Sequence, residues 1–339
     1  MKSIRLSPSG DTVKCQPGDT VLMALENAGY ALPNNCRAGA CGECKVKVLS
    51  GEFDQGLVLD MALSQEEREE GFGLMCMAKP LTDELVIEWG QADQKLKLFP
   101  PQADQPYVVT DKVQKTERIV EIHLRPLKEV MRFWPGQYVQ LNDIDQKISK
   151  RSYSIANTPK ANGEITLQIT KLEGGEVSTW VHEAIEVGQK INVSGPYGTF
   201  IGDPSVETPV VCLAAGSGLA PILSLTDAAL SRGFSLPVTL IVSAKTKADL
   251  YDLGLINYWA QKYPNFKFVG TLTQESGEGY LSGRIPEILS KQFNDLSSHS
   301  VYIAGGTDFV DACTTAARRL GAQEKLIHTE GYFSQASLS

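Results

Sequence analysis

Seven cysteines stand in the 339-residue chain, and four of them are spaced for metal chemistry. Asn35-Cys36-Arg37-Ala38-Gly39-Ala40-Cys41-Gly42-Glu43-Cys44 sets three thiols in a C-x4-C-x2-C pattern, and Cys76 follows after thirty-one further residues. Cys36, Cys41, Cys44 and Cys76 are the ligand set expected of a [2Fe–2S] cluster, in which each iron sits tetrahedrally among thiolates and bridging sulfides. A loop that wraps an inorganic core needs small residues. Ala38, Gly39, Ala40 and Gly42 supply them, and glycine can take φ > 0 where amides must turn toward sulfur. Zinc competes as a reading, but zinc ribbons pair two short knuckles, whereas here three ligands crowd one loop and the fourth is solitary. Disulfides compete too, but a chain of this length builds its own core and needs no staples. Cys15, Cys212 and Cys313 are assigned no chemistry; Cys212 lies in an apolar strand pattern and is expected to pack.

Further along, three glycine-rich turns and one alternating segment could handle a phosphorylated cofactor. Arg151-Ser152-Tyr153-Ser154 alternates, pointing Arg151 and Tyr153 to one side of a strand and Ser152 and Ser154 to the other. Gly174-Gly175-Glu176-Val177-Ser178-Thr179 joins a strand to a helix beginning near Ser178, whose open amides and hydroxyls would hold a pyrophosphate. Gly216-Ser217-Gly218-Leu219-Ala220-Pro221 follows an apolar strand and opens a helix, the arrangement that lays amides against a dinucleotide phosphate. A later apolar strand ends in Ala304-Gly305-Gly306. The four histidines show no metal spacing.

These residues need elements to position them. Ile4-Arg5-Leu6 and Thr12-Val13-Lys14 read as a hairpin across Ser-Pro-Ser-Gly. Asp19 is the expected N-cap of a helix over 20–27, with Gly29 closing it. Cys44 to Leu49 alternates as a half-buried strand, Ser64 and Glu67 form a capping box, and Leu85 to Trp89 is a last strand. Residues 91–106 are polar and proline-bearing and read as a linker. Beyond it, short strands at 107–110, 117–124, 138–141, 152–155 and 165–170 argue for a small antiparallel barrel. From about Val206, apolar runs alternate with helical segments, as in a parallel sheet with crossover helices.

Residues 1–92, with hairpin, helix, cysteine loop and returning strands, resemble a β-grasp plant-type ferredoxin. The segments after them, with Trp134-Pro135-Gly136-Gln137-Tyr138 before and Gly195-Pro196-Tyr197-Gly198-Thr199-Phe200 after the Arg151 and Gly175 motifs, resemble the ferredoxin–NADP reductase superfamily. The expected fold is therefore multidomain α+β and α/β: a ferredoxin domain (1–92), a linker (93–104), an antiparallel β-barrel flavin domain (105–204) and a parallel-sheet NAD(P)-binding domain (205–339). The resemblance implies that Arg151 meets the flavin phosphates, Tyr153 the ribityl and ring region, and Ser154 the edge near flavin N5. It gives Gly175, Val177, Ser178 and Thr179 to the pyrophosphate, and Gly216, Gly218, Pro221, Gly305 and Gly306 to the nicotinamide dinucleotide. Relatives with this domain order usually carry FAD and mostly use NADH, which favours both here. Lys245 and Lys247 fit either a 2′-phosphate, as in NADPH, or plain solvation. Many relatives carry Cys-Gly-Pro where this chain has Ala304-Gly305-Gly306, so no thiol is expected beside the reacting nicotinamide. Glu330-Gly331-Tyr332-Phe333 resembles the family's Glu-x-x-Phe ending, which would put Phe333 near the flavin ring; a packing aromatic is the alternative.

Composition sets the bounds. The chain is 42% hydrophobic and 21% charged, as in ordinary globular proteins. No apolar run reaches the length of a membrane span, and no export signal is visible, so the reducing cytoplasm is expected. A net charge of −8 argues against nucleic acid as a partner. Residues 1–92 hold 14 acidic against 8 basic side chains, most of that imbalance. Besides solubility, this fits steering toward a basic partner surface. The expected activity is electron transfer from NAD(P)H through FAD and the cluster to a partner protein, in the manner of reductase components of bacterial multicomponent oxygenases, by a monomer. A reductase serving a deoxysugar dehydratase and a stand-alone flavin or quinone reductase are the alternatives, although the latter would leave the cluster without a use. No basic recognition helix suggests a redox-sensing DNA binder.

Overall fold

In a computed structural model of the chain, the structure describes residues 2–89, 98–202 and 207–332. It divides into two compact units, Met1–Pro101 with Pro196–Thr199, and Gln102–Gly195 with Phe200–Ser339.

The first unit is built on a five-stranded mixed sheet in the order Thr12–Cys15, Lys2–Ser7, Glu84–Glu88, Lys45–Ser50, Phe72–Leu74. Its first and last long strands run parallel, Ser3 opposite Glu84 through Ser7 opposite Glu88, which no hairpin could achieve. The helix Val21–Asn27 lays Val21, Leu22, Ala24 and Leu25 on Ile4, Leu6, Leu85 and Ile87. Its N-cap is Thr20 rather than Asp19. Thr20 is extended, and its hydroxyl accepts the Met23 amide at 3.3 Å, three residues on, where a cap must reach. The capping box at Ser64 and Glu67 is present.

The second unit holds two sheets. One is antiparallel, in the order Arg151–Ser154, Tyr138–Asp143, Lys190–Tyr197, Gln102–Gln114, Ile119–Pro126, Ile165–Thr170. A single bridge between Ile155 and Leu167 joins its two edges and nearly closes the barrel. Its interior is aliphatic, with Ile122, Leu124, Val139, Ile165, Leu167 and Ile169 all buried. Two features depart from the sequence reading. The barrel's first strand in chain order starts at Gln102, so the linker gives way to the barrel before residue 104; residues 91–97 lie outside the described residues. Lys190–Tyr197 is a sixth strand whose Asn192, Ser194 and Gly195-Pro196 break any alternation, yet every residue from Ile191 to Pro196 is buried. Buried Asn192 donates to the Asp143 carbonyl at 3.2 Å, and Ser194 to Asp104 at 3.2 Å, so the polar residues are satisfied inside.

The other sheet is wholly parallel, in the order Leu281–Ser282, Phe266–Leu272, Val238–Ala244, Val210–Ala215, Ser300–Gly306, Ile327–Tyr332. Both faces are covered. Cys212, Ala214, Leu240 and Tyr302 point into one core, and Val211, Leu213, Ile241 and Ile303 into the other. That explains why these strands read as unbroken apolar runs. Chain order reverses between Val210–Ala215 and Ser300–Gly306, and such a switch point opens a crevice at the strand ends where ligands bind.

Candidate functional site

In the first unit the loop 31–44 has no regular structure, and its shape comes from positive-φ residues: Arg37 at 54°, Gly39 at 70° and Gly42 at 78°. Gly39 has no room for a side chain, since a Cβ there would stand 2.8 Å from the Leu57 carbonyl. Arg37 is anchored by two hydrogen bonds to Glu26, which is buried on the first helix. Amides do turn toward sulfur. Cys36 Sγ accepts Ala38 N–H at 3.4 Å and Ala40 N–H at 3.3 Å, and Cys44 Sγ accepts Cys76 N–H at 3.4 Å.

The four thiols fall into two pairs. A hydrogen bond from Cys41 holds the Cys36 thiol down to about 5 against its burial. Cys76 is likewise lowered, first by Cys44, whose own thiol is pushed up. Among the described residues no three metal-binding side chains converge as a single-ion site requires. Four thiols, with main-chain amides turned toward Cys36 and Cys44 sulfur, fit a [2Fe–2S] cluster. Burial pushes the remaining thiols up, to about 12 for Cys212 and Cys313, which makes them poor nucleophiles.

In the second unit, Arg151 to Ser154 form a strand paired with Tyr138 to Leu141. Behind it, the helix Glu176–Glu183 starts two residues earlier than expected, with Gly175 as an N-cap that offers no side chain. Its first-turn amides are therefore left for a ligand. Ser178 Oγ accepts the Leu172 amide at 3.1 Å and donates to the Gly175 carbonyl at 3.2 Å. A Cβ on Gly175 would lie 2.6 Å from Ser178 Oγ, so any larger residue would displace the Ser178 hydroxyl from its place in the turn. Glu176, which would repel a phosphate, is turned away to Ser149 at 2.6 Å. Gly136 Cβ would come 1.9 Å from the Phe200 carbonyl, which brings the two flanking motifs of the barrel together. The residues present fit a flavin dinucleotide.

At the switch point, Gly216–Gly218 form one turn of 3-10 helix and Leu219–Ser231 the helix after it, again without a side-chain cap. Pro221 is buried in its first turn. A Cβ on Gly218 would meet the Ala304 carbonyl at 2.1 Å, so this glycine is what lets the turn close on the strand end that carries Gly305 and Gly306. Ala304 itself is fully buried. It stands in register with Glu330 on the neighbouring strand.

Iron–sulfur cluster binding domains of the 2Fe-2S type match residues 4–81, oxidoreductase FAD-binding domains residues 107–201, and oxidoreductase NAD-binding domains residues 212–315. An aromatic O-demethylase reductase subunit of an Amycolatopsis species is 32% identical over 96% of this chain and 98% of its own length. The phenol 2-monooxygenase reductase component of a Pseudomonas species is 32% identical over 98% of this chain and 95% of its own. The crystal structure of an Amycolatopsis cytochrome P450 reductase superimposes with a TM-score of 0.88 at 30% identity, covering 98% of both chains. The chain belongs to the ferredoxin-fused reductases of the ferredoxin–NADP reductase superfamily. It is an iron–sulfur flavoprotein oxidoreductase that carries electrons from a nicotinamide dinucleotide through FAD and a [2Fe–2S] centre.

Two side chains of the Glu-x-x-Phe ending, Glu330 and Tyr332, meet Ser154, which the motif alone does not show. Ser154 Oγ donates to Glu330 Oε1 at 2.6 Å, 176 positions away, and lies 3.2 Å from the Tyr332 hydroxyl. Burial raises the Glu330 carboxyl to about 7, and its Oε2 is buried without a hydrogen-bond partner. The Tyr332 hydroxyl also donates to the Ser217 carbonyl at 3.4 Å, so Tyr332 touches both the Ser154 strand and the glycine turn. The Glu-x-x-Phe motif drew attention to Phe333, which lies outside the described residues. The strand Ile327–Tyr332 carries the contacts. At the end of Val238–Ala244, Asp249 is used locally, its carboxylate accepting the Thr246 amide at 3.0 Å and hydroxyl at 2.8 Å.

Proposed function

We propose that this reductase passes electrons from NADH to the oxygenase component of a multicomponent mono- or dioxygenase, as a cytoplasmic monomer. What carries the reading is a four-cysteine loop domain in one chain with FAD- and NAD-binding domains, in an order shared over nearly the whole length with the reductase subunits of an O-demethylase and a phenol monooxygenase. Cys36 and Cys41 would bind one iron, Cys44 and Cys76 the other. Arg151, Tyr153 and Ser154 would hold the flavin, with Gly175, Val177, Ser178 and Thr179 on its pyrophosphate and Phe333 against its ring. Gly216, Gly218, Pro221, Gly305 and Gly306 would take the nicotinamide dinucleotide. The domain limits that go with this are 1–92, a linker ending before Gln102, the barrel to 204, and 205–339.

Bound FAD supplies the exchange between two-electron hydride chemistry and one-electron transfer, and the cluster carries electrons singly. The chain's own contribution is to orient and to shield. The capless helix at Gly175 neutralises a pyrophosphate. Buried Glu330, neutral below about pH 7, accepts the Ser154 hydroxyl at 2.6 Å and so orients it without a charge facing the flavin site. The acidic excess of residues 1–92 favours an acceptor with a basic face.

Cys41→Ser tests the reading. The variant should keep its flavin and its NADH-driven ferricyanide reduction but lose nearly all cytochrome c reduction. Cytochrome c reduction at the wild-type rate would sink the proposed route through the cluster.

A further inference from the structure

Asp252 occupies the N-cap position of the helix Leu253–Lys262, where an aspartate normally accepts an amide of the first turn. Here it makes no such bond, and it sits in the left-handed region at φ 55°, which disfavours residues with a Cβ. Two local preferences are thus overridden at one residue. Its side chain goes instead to the flavin barrel. Oδ1 pairs with Lys115 Nζ at 2.5 Å, and Oδ2 accepts Gln168 Nε2 at 2.6 Å. Gln168 Nε2 also donates to Glu121 at 2.8 Å, and Glu121 lies 3.7 Å from Lys115 and 3.1 Å from His123. The side chains of Lys115, Glu121 and Asp252 are only 20%, 12% and 11% exposed, so water screens this network weakly.

The residue before Asp252 reaches the other way. Tyr251 is buried, and its hydroxyl donates to the Gly216 carbonyl at 3.0 Å. One dipeptide therefore joins the glycine turn to the barrel strands. A second tie runs parallel to it, from Thr170 to Ser217 at 2.9 Å.

We infer that Asp252 is a positioning residue: held by Lys115 and Gln168, it fixes the Tyr251–Gly216 contact and so sets where the nicotinamide-binding turn stands relative to the flavin strands. This rests on the assignment of the Gly216–Gly218 turn to the nicotinamide dinucleotide. Hydride transfer depends steeply on the distance between donor and acceptor, whereas dinucleotide affinity is spread over many contacts. The two should separate when Asp252 is changed.

The test is rapid mixing of the FAD- and cluster-loaded reductase with NADH, reading the rate of flavin bleaching against NADH concentration. Asp252→Asn should slow the limiting bleaching rate about tenfold while the half-saturating NADH concentration stays within about twofold. Asp252→Gly relieves the left-handed backbone and should be slowed as much, which separates loss of the carboxylate from misfolding. Lys115→Asp should be slow, and the swapped pair Lys115→Asp with Asp252→Lys should regain most of the rate. Bleaching at the wild-type rate in Asp252→Asn and Asp252→Gly, or a swapped pair no faster than its single variants, would overturn the inference. A wild-type flavin that NADH does not bleach would instead overturn the functional reading beneath it.

Discussion

The cluster loop and the flavin–nicotinamide region bind their cofactors by different means. In the loop, side-chain identity supplies the ligands and a short run of positive-φ residues places them: three of the four cysteines lie within nine residues. In the other region the main chain stands open at two helix starts without side-chain caps, and the side chains that meet there come from distant strands. Ser154 and Glu330 are the extreme case. A metal site needs a few donors of one element at fixed distances, which a loop can provide. A dinucleotide site needs amides, a crevice and a controlled proton, which only packed elements can provide.

That difference predicts where each region breaks. Gly218→Ala should be the most damaging, because its Cβ would meet backbone, the Ala304 carbonyl at 2.1 Å, with no flexible side chain to yield. A loss of about 3 kcal/mol in the second unit and at least about a tenfold rise in the KM for NADH are expected, with iron content unchanged. Denaturation, steady-state kinetics and iron analysis check this together. Depletion of the cluster without any effect on NADH would refute it.

Glu330→Gln comes next and reads out against pH. Burial raises this carboxyl to about 7 from its ordinary 4.5, so the native state binds the proton more tightly than the unfolded chain. Its contribution is present in full below pH 4.5 and is lost as pH rises from 4.5 through 7, by about 3 kcal/mol. Glutamine has no such dependence. Relative to wild type, the variant should therefore gain stability between pH 4.5 and 7.5, and parallel stability curves would count against a buried, protonated Glu330.

The smallest effect belongs to the loop. Gly39→Ala puts a Cβ at φ 70° and 2.8 Å from the Leu57 carbonyl, a cost of about 1–2 kcal/mol confined to the first unit. Iron content and cytochrome c reduction should fall, while ferricyanide reduction by the flavin stays at the wild-type level. A parallel loss of ferricyanide reduction would show that the two regions do not fail independently.

How legible each region was in the sequence follows the same division. The cysteine spacing pointed to its chemistry directly, and glycines 39 and 42 have the positive φ their loop demanded. The parallel strands stood out because burial on both faces requires unbroken apolar runs. Lys190–Tyr197 was missed as a strand because its buried polar residues are satisfied by Asp143 and Asp104, far away in sequence. Residue type ranks Asp19 and Thr20 nearly alike as caps, and only backbone direction gives the position to Thr20. The Glu330-Gly331-Tyr332-Phe333 ending signalled an aromatic near the flavin, but not that Glu330 and Tyr332 meet Ser154. That meeting needs the sheet register that sets them beside Ala304 and Gly306.

The sequence by itself pointed to the cofactor classes: thiol spacing to iron and sulfide, and glycine turns between strand and helix to dinucleotides, with FAD and NADH favoured through the family resemblance. Those are properties of short segments, and short segments set backbone conformation and donor type. Tertiary structure alone decided which groups face one another. The amides turned toward cluster-loop sulfur, the burial of Glu330 beside Ser154, and the turning of Asp252 from its own helix to Lys115 all depend on burial and on contacts between distant segments. Local sequence fixes neither.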